Sequence, residues 1–415
     1  MENNVKNKTV SVIGGGAAGM MAAIHAAYSG AEVILFEKND RLGRKLRITG
    51  KGRCNVTNDC STNEFLTNVP TNPRFLYTAL NRFSTADTMD FFEGCGVPLK
   101  TERGRRVFPV SDNATDIVNA LADKCRDCGV TVVHDKVTSV EIEEGRVVGV
   151  KAATKSYQCD SVIVCTGGRS YSGTGSDGDG YRFAKEAGHT VTALRPSLVP
   201  IVADTNLCAR MQGLSLKNVA LKIARRDNGK IVYDDFGEMM FTHFGMTGPM
   251  VLSASAHIPD IEKGIYDAVI DLKPALDEAA LDARIRSDFI KYNNKDFINS
   301  LGDLLPLKAI EPIVDICGID PRKKVNSVTK EERRRLLEAI KYMKIPLSRF
   351  RSIEEAIITK GGVAVTEINP KTMESKLVSG LYFAGEVIDL DAYTGGFNLQ
   401  IAFSTAVVAG ENAAE

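Results

Sequence analysis

A glycine-rich turn near the N-terminus constrains the fold of this chain more than any other feature. The apolar run VSVI at residues 10–13 is followed by GGGAAG and then by the apolar segment MMAAIHAAYSG. This pattern predicts a strand, a tight turn and a helix, with Gly14, Gly16 and Gly19 at the spacing G-x-G-x-x-G. Gly14 permits the turn, Gly16 lets backbone N–H groups approach a pyrophosphate, and Gly19 lets the helix pack closely on the strand. The segment is typical of a dinucleotide-binding βαβ unit.

The acidic residue that such a unit requires is also present. A second apolar run over residues 31–36 ends at Glu37, about 20 residues after the second glycine of the motif. The Glu37 carboxylate can accept hydrogen bonds from the ribose hydroxyls of an adenosine. The helix N-terminus offers unpaired N–H groups and partial positive charge to the phosphates. The unit predicts a bound dinucleotide, but it does not distinguish FAD from NAD.

The C-terminal part of the chain favours FAD. Residues 380–410 read GLYFAGEVIDLDAYTGGFNLQIAFSTAVVAG. A buried-strand pattern at 381–384 ends in Gly-Glu at 385–386, and Gly-Gly at 395–396 precedes a second apolar helix that starts near Asn398. A second helix N-terminus facing the cofactor indicates that the chain returns to the first site. An extended FAD molecule commonly needs this return, whereas NAD seldom does.

Three strand ends resemble a known fold. The fingerprint with Glu37, the segment SVIVCTGG at residues 161–168 and the final strand ending in Ala-Gly-Glu resemble the glutathione-reductase-type FAD fold. More narrowly, GKGRCNVTN, GEMMFTHFGMTGP and EVIDLDAYTGGFNLQ resemble a bacterial flavoprotein family described as bile-acid (3-oxo-Δ4 steroid) reductase-like or aminoacetone-oxidase-like. This resemblance extends over nearly the whole chain. It implies FAD and three domains, and it specifies a substrate only weakly.

The fold class that we predict is α/β, with a Rossmann-like FAD-binding domain interrupted by an inserted antiparallel β domain that carries a helical subdomain. Short alternating strands such as VALKIARR and KIVYDD, with a turn at residues 227–229, predict the inserted sheet. The helical period that follows includes Thr329 and Glu332 at the spacing of a capping box. The predicted boundaries are 1–191 and 353–415 for the FAD-binding domain, 192–273 and 344–352 for the β domain, and 274–343 for the helical subdomain.

A strongly basic segment follows the second strand. Residues 41–58 read RLGRKLRITGKGRCNVTN, with six basic residues and no acidic or aromatic ones. Nucleic-acid binding would require interleaved aromatic residues or a wider basic face. We expect the segment to follow the cofactor pyrophosphate, with Arg44 and Lys45 in contact and residues 50–55 lining the isoalloxazine or the substrate. A solvated charged loop is the alternative.

These considerations give one set of predicted cofactor contacts, drawn from the fingerprint, the basic segment, the middle strand and the C-terminal helix. The predicted cofactor-binding residues are Gly14, Gly16, Ala17, Ala18, Gly19, Glu37, Lys38, Arg44, Lys45, Gly52, Asn55, Val137, Thr166, Gly167, Gly385, Glu386, Gly396, Asn398, Leu399 and Gln400.

The charge balance limits the expected partners. The 415 residues include 52 basic and 52 acidic side chains, so no overall field attracts nucleic acid or an anionic membrane. The N-terminal residues are polar, unlike a signal peptide, and no apolar run approaches the roughly 18 residues of a membrane span. We expect a cytoplasmic protein with a small-molecule substrate and without nucleic-acid or membrane partners. The sequence leaves the oligomeric state open.

The nine scattered cysteines suit reduced thiols rather than a disulfide framework. Cys125 and Cys128 end a helical pattern, where the dipole raises a thiol pKa, and no second pair completes a zinc site. We expect them to be inert and predict no metal centre. Cys54 and Cys60 lie near the region where flavin disulfide reductases carry a catalytic disulfide. Their spacing differs and no second dinucleotide fingerprint follows, so we disfavour that class.

Two residues are candidates for catalysis. His243, in FTHFGMTGP, precedes a predicted helix start, and we consider cleft-lining, acid–base and structural roles for it. Tyr393 precedes the Gly-Gly loop at the expected pyrimidine end of the flavin. It is a candidate proton donor, with simple packing as the alternative.

The predicted function is that of an FAD-dependent oxidoreductase. We expect NADH or NADPH as a transient electron donor and hydride transfer from flavin N5 to an electron-poor carbon, such as that of a conjugated steroid-like or bile-acid-like enone. The alternatives are an amine oxidase that uses O2, a flavin-binding protein without catalysis, and an RNA-associated flavoprotein. The balanced charge disfavours the last of these.

Overall fold

The computed structural model describes residues 7–415, which form two compact units. The first unit comprises the described chain up to Ser197 together with Ile353–Glu415. The second unit is the continuous segment Leu198–Ser352.

The secondary-structure elements are numbered along the chain. The strands are β1 (Thr9–Ile13), β2 (Glu32–Phe36), β3 (Thr57–Asn58), β4 (Leu99–Glu102), β5 (Arg106–Pro109), β6 (Thr131–Val133), β7 (Val137–Glu143), β8 (Arg146–Ala152), β9 (Ser156–Gln158), β10 (Ser161–Val164), β11 (Arg195–Ser197), β12 (Ile201–Ala203), β13 (Ser215–Arg225), β14 (Ile231–Thr242), β15 (Gly245–Thr247), β16 (Tyr266–Asp271), β17 (Met343–Phe350), β18 (Ile358–Lys360) and β19 (Leu381–Phe383). The α-helices are α1 (Ala17–Tyr28), α2 (Arg44–Ile48), α3 (Thr62–Thr67), α4 (Tyr77–Arg82), α5 (Thr85–Gly94), α6 (Ala114–Asp127), α7 (Asp179–Glu186), α8 (Thr205–Arg210), α9 (Pro249–Ser255), α10 (Glu278–Lys291), α11 (Leu307–Cys317), α12 (Lys330–Lys341) and α13 (Phe397–Ala414).

A parallel five-stranded sheet organises the first unit, in the order β19-β10-β1-β2-β6. Val12 of β1 is in register with Leu35 of β2 on one side and with Ile163 of β10 on the other. All three side chains are fully buried. Continuous apolar runs of this kind suit a parallel sheet that is covered on both faces. The predicted Rossmann-like α/β fold is confirmed.

Glycine is required where the chain passes from β1 into α1. Gly14 has a φ of 108°, and a Cβ at this position would lie 2.6 Å from the carbonyl oxygen of Cys165. A Cβ on Gly19 would overlap the carbonyl oxygen of Gly14. The helix therefore comes this close to the strand only because both positions lack a side chain.

Helix α13 packs along α1, and small residues permit the close approach. A Cβ on Gly410 would overlap the carbonyl oxygen of Ala22, and Ala26 and Ala406 are fully buried. Close backbone approach over several turns multiplies weak dispersion contacts.

Although α13 is apolar, none of the helices within residues 7–415 combines the length and hydropathy needed to cross a bilayer.

Three small antiparallel sheets complete the first unit: β3-β5-β4, β7-β8-β9 and β11-β18. Arg195 of β11 pairs with Lys360 of β18. Because of this pairing the first unit extends to Ser197, beyond the predicted limit at residue 191.

A closed antiparallel barrel, in the order β12-β15-β14-β13-β16-β17, forms the centre of the second unit. Strands β13 and β14 form a hairpin around the predicted turn at residues 227–229. Leu281 of α10 and Leu336 of α12 are fully buried in the same hydrophobic cluster as Phe241 and Ile270 of the barrel. The helices therefore share one core with the barrel instead of forming a separate one.

Helix α12 begins with the capping box that the sequence predicts. The Thr329 hydroxyl accepts a hydrogen bond from the Glu332 backbone N–H at 3.2 Å. The Glu332 carboxylate accepts one from the Thr329 N–H at 2.7 Å. Two N–H groups that the helix itself leaves unpaired are satisfied in this way.

Replacing Gly19 tests the contact between α1 and β1. We expect Gly19→Ala to lower the free energy of unfolding by about 3 kcal/mol or more, since the methyl group overlaps a backbone carbonyl and the helix must move. Urea unfolding of the apo-protein measures this loss. Gly94→Ala at the end of α5 is the matched control, because its Cβ would meet no atom of the described residues within 4 Å. Equal stabilities of the two variants would contradict the steric account.

Candidate active site

The N-terminus of α1 has the features of a phosphate site. Its N-cap residue is Gly16, which has no side chain to satisfy the N–H groups of the first turn. A Cβ on Gly16 would meet no described atom within 4 Å, so this position opens onto free space. The first-turn residues Ala17 and Ala18 present small side chains there. Backbone donors and the positive end of α1 are thus directed at an open space that suits a pyrophosphate.

Glu37 is held beside this turn. Its carboxylate is 8% exposed and accepts hydrogen bonds from the Gly15 N–H at 2.9 Å and from the Asn39 N–H at 2.8 Å. The Asn39 side-chain amide donates a third hydrogen bond at 2.6 Å. Charge-assisted bonds of this kind fix the orientation of a buried carboxylate. The structure therefore places the predicted ribose acceptor at the end of β2, next to the fingerprint.

The end of β19 meets the start of α1, as the returning chain implies. A Cβ on Gly385 would lie 2.9 Å from the Cβ of Ala18. The Gly385 N–H donates to the Thr405 hydroxyl at 3.0 Å, which ties the strand end to α13. Segments from opposite parts of the sequence are thereby joined at one edge of the sheet.

A polar cluster joins the basic segment to this strand end. The Lys45 ammonium donates to Glu386 at 2.6 Å and to the Ser170 hydroxyl at 2.7 Å. Glu386 also accepts from the Ser170 hydroxyl at 3.0 Å and from the Thr359 N–H at 2.8 Å. The side chains of Lys45 and Glu386 are only 23% and 19% exposed. This ion pair links residues that the sequence assigned separately to the cofactor.

The N-terminus of α13 lies at the edge of β3. Its N-cap is Gly396, where a Cβ would overlap the carbonyl oxygen of Thr57. The Asn398 side chain accepts from the Ala392 N–H at 3.0 Å and donates to the Ala392 carbonyl at 2.7 Å. It therefore shapes the preceding loop, while the neighbouring Leu399 is half-buried. As in α1, a glycine N-cap leaves the first-turn N–H groups of α13 without a side-chain acceptor from the cap.

Three buried polar atoms near these elements are suited to bind a cofactor. Within the described residues, Asn55 Oδ1, Thr166 Oγ1 and Arg47 Nε are buried and have no hydrogen-bond partner. Such orphaned groups cost free energy unless something pairs with them. They belong to the basic segment and to the strand end of β10, both of which the sequence assigned to FAD. The residues present therefore fit FAD, with Arg47 supplying charge and Asn55 and Thr166 supplying neutral polar groups.

Some predicted contacts have partners within the protein. Lys38 pairs with Asp177 at 2.6 Å and with Asp179 at 3.1 Å. Arg44 donates to the Asn39 side chain at 2.9 Å and is exposed. Both side chains stabilise the surroundings of Glu37, and their direct contact with FAD stays a prediction.

Gln400 has a structural role, and its predicted contact with FAD stays a prediction. The side chain is fully buried, and its carbonyl accepts from the Thr57 hydroxyl at 2.6 Å. Its amide donates to the Ser84 carbonyl at 3.1 Å and to the Ser404 hydroxyl at 3.0 Å. The Gln400 N–H is used by the Gly396 carbonyl within α13. These partners tie α13 to β3 and to the segment before α5.

The remaining predicted positions are backbone features. Gly52 has a φ of 84° in a run of left-handed residues that includes Gly50 and Lys51. Gly167 has a φ of 72° and lies close to Ser176. Val137 begins β7 and is buried. No side chain chemistry is needed at these positions, and their contact with FAD stays a prediction.

Tyr393 lies in the loop between β19 and α13 and is half-buried. Its N–H donates to the Asn68 carbonyl at 3.0 Å. Burial, and then the charge of the fully buried Asp391, raise the pKa of the Tyr393 phenol above its ordinary value. The phenol is therefore protonated at neutral pH and able to donate a proton.

His243 lies in the second unit, in the turn between β14 and β15. Its side chain is exposed and its ring meets that of Phe244 edge-on, with 5.1 Å between centroids. The helix start predicted after it is confirmed, since α9 begins at Pro249. The role of His243 stays a prediction.

All nine cysteines lie within residues 7–415 and are free thiols. Burial raises the pKa of Cys54 to about 12, and burial with nearby Glu64 raises that of Cys60 to about 11. Burial likewise raises the pKa of Cys125 to about 12. Thiols of this kind are poor nucleophiles because the thiolate is the reactive form. The expectation that Cys125 is inert is supported by its burial.

Sequence reasoning missed two residues that complete the site. Ser170 and Thr359 orient Glu386. The segment SVIVCTGG at residues 161–168 pointed to the neighbourhood of Ser170. No sequence pattern around Thr359 indicates its role, because only the fold brings it beside Glu386. Arg47, which has the orphaned guanidinium nitrogen, belongs to the basic segment that was assigned to the pyrophosphate.

The parallel sheet, the open turn before α1, the fixed Glu37 and the returning α13 form a Rossmann-type dinucleotide site that suits FAD. Together with the family and the relatives that follow, this site places the protein among the FAD-dependent oxidoreductases. The chain belongs to the HI0933-like family, whose Rossmann-domain model matches residues 8–412.

Similar proteins have related but different names. The chain is 29% identical to 3-dehydro-bile acid delta(4,6)-reductase of Clostridium scindens over 98% of this chain and 99% of that protein. It is 30% identical to ribosomal RNA dihydrouridine synthase of Escherichia coli over 95% of each chain. Among solved structures, 3-ketosteroid-delta4-(5alpha)-dehydrogenase of Rhodococcus jostii aligns with a TM-score of 0.56 and 16% identity, covering 100% of this chain and 99% of that chain. The last likeness supports the fold alone.

Replacing Gly16 separates cofactor binding from folding. We expect Gly16→Ala to weaken FAD binding at least about 10-fold, because the methyl group enters the space through which the pyrophosphate approaches the backbone. The stability of the apo-protein should not change, since the added Cβ meets open space. Titration of apo-protein with FAD and urea unfolding measure the two quantities. Gly94→Ala again serves as the control, and normal FAD affinity in Gly16→Ala would refute the assignment.

Breaking the Lys45–Glu386 pair tests the cluster at the end of β19. We expect Lys45→Met to destabilise the apo-protein by about 2 kcal/mol, because Glu386 is left partly buried without its cation. The double variant Lys45→Met with Glu386→Gln should recover part of this loss, since the uncompensated charge is removed. Urea unfolding measures both. A double variant no more stable than the single one would show that the pair is not the cause.

Proposed function

We propose that this protein reduces a carbon–carbon double bond conjugated to a carbonyl group, and that NADH or NADPH is its electron donor. The observation that carries the proposal is the position of Tyr393, a protonated phenol in the loop that leads directly into the glycine-capped N-terminus of α13. A proton donor beside a positive helix end is the arrangement that reduction of an enone requires.

The names of two relatives support the same reaction class. A bile-acid delta(4,6)-reductase saturates a double bond in a steroid skeleton. Dihydrouridine is uridine whose C5–C6 bond, conjugated to the C4 carbonyl, has been saturated. Both names therefore describe addition of one hydride and one proton across a double bond.

Hydride supply, charge stabilisation and proton donation fall to different groups in the proposed reaction. Bound FAD supplies the hydride. The first-turn N–H groups of α13, with the dipole of its 18 residues, stabilise negative charge near Gly396. Tyr393 donates its proton to the α-carbon of the substrate, and solvent protonates it again. Because burial, and then the charge of Asp391, raise the pKa of Tyr393 above its ordinary value, the phenol stays protonated at neutral pH.

A steroid-like or bile-acid-like enone is the first candidate substrate, consistent with the equal numbers of basic and acidic residues. Uridine in RNA is the second candidate. It is supported by the relative from Escherichia coli and by the exposed residues Arg103, Arg105 and Arg106. The chain has a single dinucleotide fingerprint, so we propose that the nicotinamide donor binds transiently near the same cofactor.

Rapid anaerobic mixing tests the proposal. NADH or NADPH should bleach the flavin absorbance near about 450 nm, and 3-oxochol-4-enoic acid or a uridine-containing oligoribonucleotide should restore it faster than O2 does. Restoration by O2 alone would favour an amine oxidase. Absence of bleaching by either nucleotide, or of restoration by any substrate, would contradict the proposed reaction.

Tyr393→Phe tests the proton donor within that reaction. We expect bleaching by the nicotinamide to stay at the wild-type rate, while substrate reduction slows by at least about 100-fold because the α-carbon has lost its acid. Single-turnover measurements of the two half-reactions separate these effects. If both half-reactions slow equally, Tyr393 supports the fold and does not donate the proton.

A further inference from the structure

A turn rich in arginine lies between β4 and β5. Residues 103–106 read RGRR, and the three arginines, Arg103, Arg105 and Arg106, are all exposed. We refer to residues 103–106 as the arginine turn. It lies outside the set of predicted cofactor contacts.

One side chain fastens the arginine turn to the loop before α13. The Asn58 amide donates to the Gly104 carbonyl at 3.1 Å and to the Gly395 carbonyl at 3.0 Å. Asn58 is itself in register with Arg106 in the β3–β5 pairing. The neighbouring Thr57 carbonyl lies against Gly396, the N-cap of α13. The turn is therefore held next to the loop that carries Tyr393.

Two arginines of the turn form no ion pair with any residue that the structure describes. The nearby Glu102 carboxylate is bound to Arg53, which lowers its pKa most, and Arg106 contributes a smaller part of that lowering. Among residues 7–415, neither Arg103 nor Arg106 has a carboxylate within ion-pair distance, and Arg106 Nε donates to the Arg103 carbonyl at 3.1 Å. Arg105 pairs with Glu64. Nearby cations differ in this respect, since Asp112 pairs with both Arg53 and Lys100. The turn thus exposes two guanidinium groups that are available to an anion.

The backbone of the turn is strained at Arg105, the arginine that pairs with Glu64. Gly104 and Arg105 have φ values of 76° and 55°. Glycine adopts the left-handed region freely, but a residue with a long side chain does so at a cost. Strain that is retained at an exposed position points to a use for the turn as a whole.

We propose that the arginine turn binds an anionic group of the substrate, distant from the double bond that is reduced. This inference rests on the proposed function, because it places the anion beside the loop of Tyr393. Guanidinium groups bind carboxylates and phosphates with paired, charge-assisted hydrogen bonds. The anion is either the carboxylate of an acidic enone or a phosphodiester of RNA, and both meet the same two guanidinium groups.

Equilibrium titration of the oxidised holoenzyme tests the inference without requiring turnover. The ligands are 3-oxochol-4-enoic acid, its methyl ester and a uridine-containing oligoribonucleotide, followed through the flavin absorbance. The double variant Arg103→Gln with Arg106→Gln should lower the preference for acid over ester, or the affinity for the oligoribonucleotide, by roughly 10- to 100-fold. Arg126→Gln, an exposed arginine on α6, should leave both quantities unchanged.

The outcomes distinguish the anions and the two proposals. If the double variant loses only the preference for acid over ester, the anion is a carboxylate. If it loses only affinity for the oligoribonucleotide, the anion is a phosphodiester. The inference would be overturned if the double variant bound acid and ester equally more weakly and kept its affinity for the oligoribonucleotide. It would also be overturned if the wild type bound no anionic ligand. Arginine-dependent binding without reduction of any ligand would support the anion site while contradicting the proposed reaction.

Arg105→Gly checks that the effect is not structural. Glycine suits the left-handed backbone, so this variant should unfold at the same or higher urea concentration than the wild type. It should bind the anionic ligand as the wild type does, because Arg103 and Arg106 are retained and Arg105 is already paired with Glu64. A loss of binding together with a loss of stability would show that a change in the fold of the turn alone can account for the effect of the double variant.

Discussion

The close approach of α1 to its neighbours is the constraint on which the first unit depends. At Gly19 the helix touches the backbone of its own turn, and at Ala22 it touches the backbone of α13 next to Gly410. No ordinary side chain fits between these surfaces. The N-terminus of α1 lies at the end of β1 and the N-terminus of α13 lies beside β3, and each directs partial positive charge away from its helix. An anionic cofactor is what such helix ends can stabilise.

Polar contacts then fix the cofactor site at a few points and leave others open. Lys45, Glu386 and Ser170 satisfy one another, as do Gln400 and its partners in the core. By contrast, Asn55 and Thr166 have buried oxygens without a partner among the described residues. The closed networks hold distant segments of chain together, whereas the open groups have no partner to offset the cost of their burial. Their predicted contact with FAD would complete the hydrogen bonding of the fold.

Much of this arrangement was predictable from local sequence. The G-x-G-x-x-G spacing predicted β1, α1 and Glu37, because each glycine is needed for a close contact between residues that are near one another in the chain. The hairpin turn at 227–229 and the capping box at Thr329 were predictable for the same reason. The roles of Gln400 and Thr359 were not, since they depend on partners far away in sequence. Lys38 was assigned to the cofactor from its position after Glu37, and its acidic partners on the stretch before α7 could be found only in three dimensions. The shared core of barrel and helices likewise follows from packing that no local pattern encodes.

The discontinuity of the first unit has a consequence for the order in which the chain folds. The second unit is one uninterrupted segment, and its contacts can form as soon as that segment has been synthesised. The parallel sheet lacks β19 until well after the barrel is made, and α1 lacks the helix that covers it until α13 follows. Over that interval the apolar face of α1 and one edge of β10 are exposed to water and to other chains. A nascent chain of this design is therefore most prone to aggregate late in translation, and early capture of the nucleotide by the first βαβ unit would shorten the hazardous period.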